Sequence, residues 1–69
     1  MAKKIWELKA LLLKAGFTYK SGKGSHSKWE HSLLGKPIII ARKDGADAPH
    51  YLERQVMDAL KELKESEDG

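Results

Sequence analysis

The sequence predicts an α+β fold, a two-layer α-β-β-β-α sandwich with both helices on one face of an antiparallel three-stranded sheet. Three observations lead to it. Helix-periodic apolar stripes stand at both ends of the chain, β-type runs punctuated by turn residues lie between them, and 69 residues leave room for one domain spanning 1–69. A chain of this length buries only about 60% of the surface it exposes when unfolded, which excludes a second core.

Each element has its own warrant. Over residues 3–15, Ile5, Leu8, Leu12 and Ala15 recur at three- and four-residue steps, with Leu11 widening the stripe, and Gly16 occupies the place where a helix end favours a left-handed residue. Phe17-Thr18-Tyr19 then reads as a strand and Lys20-Ser21-Gly22-Lys23-Gly24 as a loop of turn formers. From Ser25 to Leu33 a period of two puts Ser27, Trp29 and His31 on one face and His26, Lys28 and Glu30 on the other. Leu34-Gly35 makes a tight connection to Pro37–Ala41, the most β-branched run, with its proline at the strand entrance. Asp44-Gly45 signals a turn, Pro49 suits the first turn of a helix, and Leu52, Val56, Ala59, Leu60 and Leu63 form its core stripe to about Glu65. Residues 66–69 read as a frayed acidic tail. With Trp29 turned toward the helices, His26, Lys28 and Glu30 are expected on an open sheet face.

Charge is distributed unevenly along the chain. Residues 1–43 carry ten basic and two acidic side chains, net +8, and residues 44–69 carry three basic and eight acidic, net −5. A polyanion is drawn to the first part and repelled by the second, which makes nucleic acid the first partner to consider. There is no cysteine, so disulfides and thiolate-bound zinc are excluded. Glu7 and Lys9 interrupt the apolar stretch a signal peptide requires, and no run approaches a membrane span. A cytoplasmic protein is expected.

The segment Lys23-Gly24-Ser25-His26-Ser27-Lys28 concentrates the chemistry. Two glycines in three residues let backbone amides approach an anion, and Lys20, Lys23 and Lys28 surround them with charge, a suitable place for a phosphate. His26 adds an imidazole, the side chain that ordinarily exchanges a proton near neutral pH. The same composition also suits a solvated hairpin loop. No metal or other cofactor is expected: His26 and His31 point to opposite strand faces, His50 lies beyond the sheet, and Asp44–Asp47 lacks the ligand spacing of a calcium loop. Trp6 and Leu13, seven residues apart, sit about 100° of arc from the Leu8/Leu12 direction on a 3.6-residue helix. They either edge the core or form an exposed apolar patch for a protein partner.

Leu12-Leu13-Lys14-Ala15-Gly16-Phe17, Lys23-Gly24-Ser25-His26, the isoleucine-rich third strand and Lys43-Asp44-Gly45-Ala46-Asp47-Ala48-Pro49 together resemble the HicA family of bacterial toxins. The similarity covers nearly the whole chain. It implies a fold related to double-stranded RNA-binding domains and a ribonuclease that cuts mRNA until a HicB antitoxin blocks it. By the same resemblance His26 matches the catalytic histidine, and Gly24 and Ser25 match the turn that presents it. Ser27 stands where many members carry another side chain, and the C-terminal helix is more acidic than RNA contact favours.

The expectation is a metal-independent endoribonuclease toxin in which His26 takes the proton of the 2′-hydroxyl, Lys23 or Lys28 neutralises the phosphoryl oxygens, and Gly24 and Ser25 orient the phosphate. Lys20 joins these as an RNA contact, and Trp6, Leu13 and His26 form the expected antitoxin surface. A non-catalytic RNA-binding module and a protein-interaction domain are the alternatives.

Overall fold

The computed structural model describes residues 3–68 and has the element order α1 (Ile5–Lys14), β1 (Thr18–Ser21), β2 (Ser27–Glu30), β3 (Ile38–Ile40) and α2 (His50–Asp68). The sheet is antiparallel in the order β1-β2-β3, with Tyr19 opposite Trp29 and Trp29 opposite Ile38. One core holds Ile5, Leu8 and Leu12 of α1, Trp29, Ile38 and Ile40 of the sheet, and Leu52, Val56 and Leu63 of α2, so both helices cover the same sheet face. Lys28, Glu30 and Ile39 lie on the other face, exposed. This is the α-β-β-β-α arrangement that the periodicity predicts.

The first helix ends in a Schellman motif: Gly16 has φ +94°, its N–H donates to Leu13 O at 3.1 Å, and Phe17 N–H donates to Leu12 O at 3.0 Å. Phe17 is thereby delivered into the core beside Leu12. The helix start has no conventional capping side chain, since its N-cap is Lys4. Its donors find partners elsewhere. Lys4 N–H donates to the Glu7 carboxylate at 3.1 Å, and Ile5 and Trp6 N–H donate to the carbonyls of Ala46 and Asp44 at 3.0 and 3.1 Å. A loop distant in sequence therefore caps α1, aided by the isolated bridge between Lys4 and Asp47 and by the ion pairs Lys4–Asp47 and Lys9–Asp44.

Several boundaries differ from those expected. The first strand runs through Lys20 and Ser21, because these residues pair with Lys28 and Ser27 before the chain turns at Gly22. The second strand is shorter than Ser25–Leu33. At its start His26 N–H closes a turn on Lys23 O at 3.2 Å, and at its end Leu34 N–H bonds His31 O at 3.0 Å, so a turn at 31–34 replaces the expected Leu34-Gly35 connection. His31 consequently leaves the strand and packs edge-on to Phe17, with ring centroids 5.2 Å apart. The third strand keeps only Ile38–Ile40. The helix α2 continues through Asp68, so the expected frayed tail is helical except for Gly69, which lies outside the described residues.

Candidate nucleic-acid interface

The β1–β2 hairpin turns through Lys23-Gly24-Ser25-His26. Gly24 at the first central position has φ +62°, and Ser25 has a negative φ, the signs of a type II′ turn. Gly22 N–H donates to His26 O at 2.8 Å and closes the loop beneath it. The positive φ of Gly24 is one that a side chain would strain, and among the described residues no hydrogen bond takes the amide donors of Gly24 or Ser25.

His26 is exposed, and its ring is held by the same turn: Nδ1 lies 3.1 Å from Lys23 O. A carbonyl oxygen only accepts, so Nδ1 is the donor in this contact, and Nε2 has no hydrogen-bond partner among the described residues. Lys23 O thus receives both the backbone N–H and the ring N–H of His26. The expectation that His26 projects from the open sheet face alongside Lys28 is corrected. Because the residue belongs to the turn, outside the strand, its side chain borders both sheet faces: a shallow depression with Lys20, Lys28 and Ile39 on one side and a groove on the other.

That groove, about 560 Å³, lies on the helix side of the sheet. Trp6, Lys9 and Leu13, one stripe of α1, form one wall, and Tyr19, Ser21 and the hairpin turn form the opposite one. It borders the uncovered strand: all four β1 residues are exposed, while β2 and β3 bury alternate residues. Trp6 and Leu13 are 56% and 53% exposed, so neither belongs to the core edge. They and His26, expected on the helix edge and on the open sheet face as two parts of one antitoxin contact, line one concavity. Lys20 and Lys28 are opposite each other on the other face and line no part of it.

Sequence reasoning missed Tyr19, Arg42 and Lys43. Tyr19 stacks on Trp29 with centroids 4.6 Å apart and planes 21° apart, and the Trp29 indole N–H donates to Ser27 Oγ at 2.8 Å. The buried Ser27 hydroxyl in turn donates to Ile40 O at 3.4 Å, leaving no orphaned polar atom at this position. Arg42 and Lys43 reach the groove because the loop that follows them is tied to α1. The period-two pattern did place Tyr19 in a strand, but only the register opposite Trp29 reveals the stack. Among the described residues no three His, Cys, Asp or Glu side chains are gathered to hold a metal ion, and no helix is long and apolar enough to cross a membrane.

No curated protein and no solved structure matches the chain significantly. A family model described as the HicA toxin of bacterial toxin–antitoxin matches residues 6–65, which span α1, the hairpin with His26, β3, the α1-capping loop and most of α2. With nearly its whole length matched, the chain belongs to the HicA toxin family, the toxins of toxin–antitoxin systems that pair with an antitoxin partner.

Proposed function

We propose that this toxin is a metal-independent endoribonuclease that cleaves mRNA with His26 as its general base. The reading is carried by one observation: the hairpin pins Nδ1–H of His26 to Lys23 O and leaves Nε2 free at the lip of a groove with basic groups. RNA holds a nucleophile beside each phosphorus, so cleavage requires little beyond a base and charge stabilisation, which suits a small scaffold. Nε2 takes the proton of the 2′-hydroxyl, the 2′-oxygen bonds to phosphorus, and the bond to the 5′-oxygen breaks, leaving a cyclic phosphate and a 5′-hydroxyl whose proton comes from the protonated His26, a lysine or water. The amides of Gly24 and Ser25 and the ammonium of Lys23 serve the phosphoryl oxygens, and Lys20 and Lys28 hold the flanking strand along the other side of the hairpin. A HicB-like antitoxin covers Trp6, Leu13 and His26, which share one concavity.

The test is His26→Ala. An exposed turn residue contributes little packing, so the fold should persist while cleavage falls at least about 100-fold. RNA with a single 2′-deoxy sugar at the scissile position should resist cleavage there. Undiminished RNA cleavage by the alanine variant at equal protein levels would overturn the assignment, and cleavage at the deoxy position would mean that water attacks instead.

A further inference from the structure

We infer that the groove between α1 and the hairpin holds one unstacked nucleobase of single-stranded RNA against the free face of Tyr19. The inference rests on the ribonuclease reading for its ligand class and goes beyond it by assigning a base subsite. Tyr19 has one ring face on Trp29, and Trp29 is 2% exposed and fixed through Ser27 to β3. Tyr19 itself is 52% exposed, so part of its ring stays accessible beyond the Trp29 contact, and the residue lines the groove. An aromatic ring already held by another ring loses little freedom when a third joins it, the preorganisation that makes stacking productive.

Charge selects the occupant. Arg42 and Lys43 line the groove and form no ion pair among the described residues, while its acidic side chain, Asp44, is held by Lys9 at 2.6 Å. A flat apolar ring beside uncompensated cations fits a base attached to a phosphodiester chain better than it fits an apolar peptide. Bases within a duplex have both faces covered, so the site demands a single strand. Trp6, on the facing wall and 56% exposed, supplies a second aromatic surface to the same occupant. His26 on the groove's rim places the sugar and phosphate of that nucleotide, or of its neighbour, within the reach of the proposed base.

The experiment measures binding of a short 2′-O-methyl RNA, which cannot be cleaved, and of versions in which each base in turn is removed. For the unaltered protein, removal of one particular base should weaken binding at least about fivefold, the scale of a single base–aromatic stack. Tyr19→Leu should lose the same factor on the complete RNA, lose nothing further on that abasic version, and leave the salt dependence unchanged, because stacking releases no counterions. Tyr19→Phe should bind as the parent does. Equal losses for Tyr19→Leu on complete and abasic RNA, or no base dependence in the unaltered protein, would overturn the proposal. Should Tyr19→Leu fail to fold, the abasic series with Trp6→Ala decides: a loss confined to RNA that retains the critical base supports the site, and a uniform loss refutes it. Cleavage of unmodified RNA is assayed in parallel, so that base-dependent binding without cleavage overturns the nuclease reading alone, and cleavage without base dependence overturns the subsite alone. Occupation of the groove by the antitoxin, with no base-dependent RNA affinity, would make it a protein interface and overturn the proposal.

Discussion

At the scale of single residues, the hairpin achieves two orientations with few groups. Lys23 O sets the backbone and the tautomer of His26, while Ser27 Oγ receives the Trp29 indole N–H and thereby holds the platform beneath Tyr19. Ser27 is buried, so its removal strands a donor where water cannot replace it. Ser27→Ala should lower stability by about 1–3 kcal/mol, the cost of a buried unsatisfied polar group, read as a lower urea midpoint with an unchanged slope. A midpoint equal to that of the parent would mean that the indole finds another acceptor and that Ser27 does not position it. The sequence singled out His26 from its residue type and its glycine-rich neighbourhood. It could not give the tautomer, because that depends on a carbonyl three residues away whose direction is fixed only once Gly24 adopts a positive φ.

At the scale of elements, the legible features were those with local causes. The Schellman end at Gly16 follows from a glycine after an apolar stripe, and the burial of Trp29, Ile38 and Ile40 follows from strand periodicity and β-branching. The start of α1 was less legible because its cap comes from carbonyls of Asp44 and Ala46, some forty positions away, and no local residue announces this. That tie brings Arg42, Lys43 and Asp44 to the groove; the cap itself uses the Asp44 carbonyl, and the Asp44 side chain adds only the ion pair to Lys9. Asp44→Asn should therefore change stability by no more than about 1 kcal/mol, the usual worth of an exposed ion pair. It also releases Lys9 and removes an anion from the groove. RNA affinity should rise, and the slope of log K against log salt should steepen by about 0.7 for each cation gained on a single strand. Salt titrations of binding check this, and an unchanged affinity and slope would show that phosphates do not pass the groove.

At the scale of the whole molecule, the charge split was readable from composition, but its spatial form was not. The basic residues of the first 43 positions are parted by the sheet: Lys20 and Lys28 lie on its open face, whereas Lys9, Arg42 and Lys43 lie on the helix side, with the hairpin tip and His26 between them. Period-two reasoning assigned His26 to one face because it began the strand at Ser25, two residues too early and inside a turn. With that residue on the rim, a single partner seated in the groove meets His26, the Trp6 and Leu13 surface and the basic loop together. An antitoxin with acidic groups would be steered there by charge and anchored by the indole, since a tryptophan in a desolvated pocket is a common hot spot. The same surface is assigned above to a nucleobase, so antitoxin and RNA should exclude each other without any conformational change. Trp6→Ala should weaken the toxin–antitoxin complex by more than about 1 kcal/mol, whereas neutralising Arg42 and Lys43 to Gln should act mainly by slowing association. Titration calorimetry and stopped-flow mixing with the cognate antitoxin, each repeated with uncleavable RNA present, measure these effects. An unchanged affinity for Trp6→Ala would place the inhibitory contact on the open sheet face, where Lys20, Lys28 and the exposed Ile39 stand, and antitoxin binding indifferent to saturating RNA would place it outside both RNA-contacting faces.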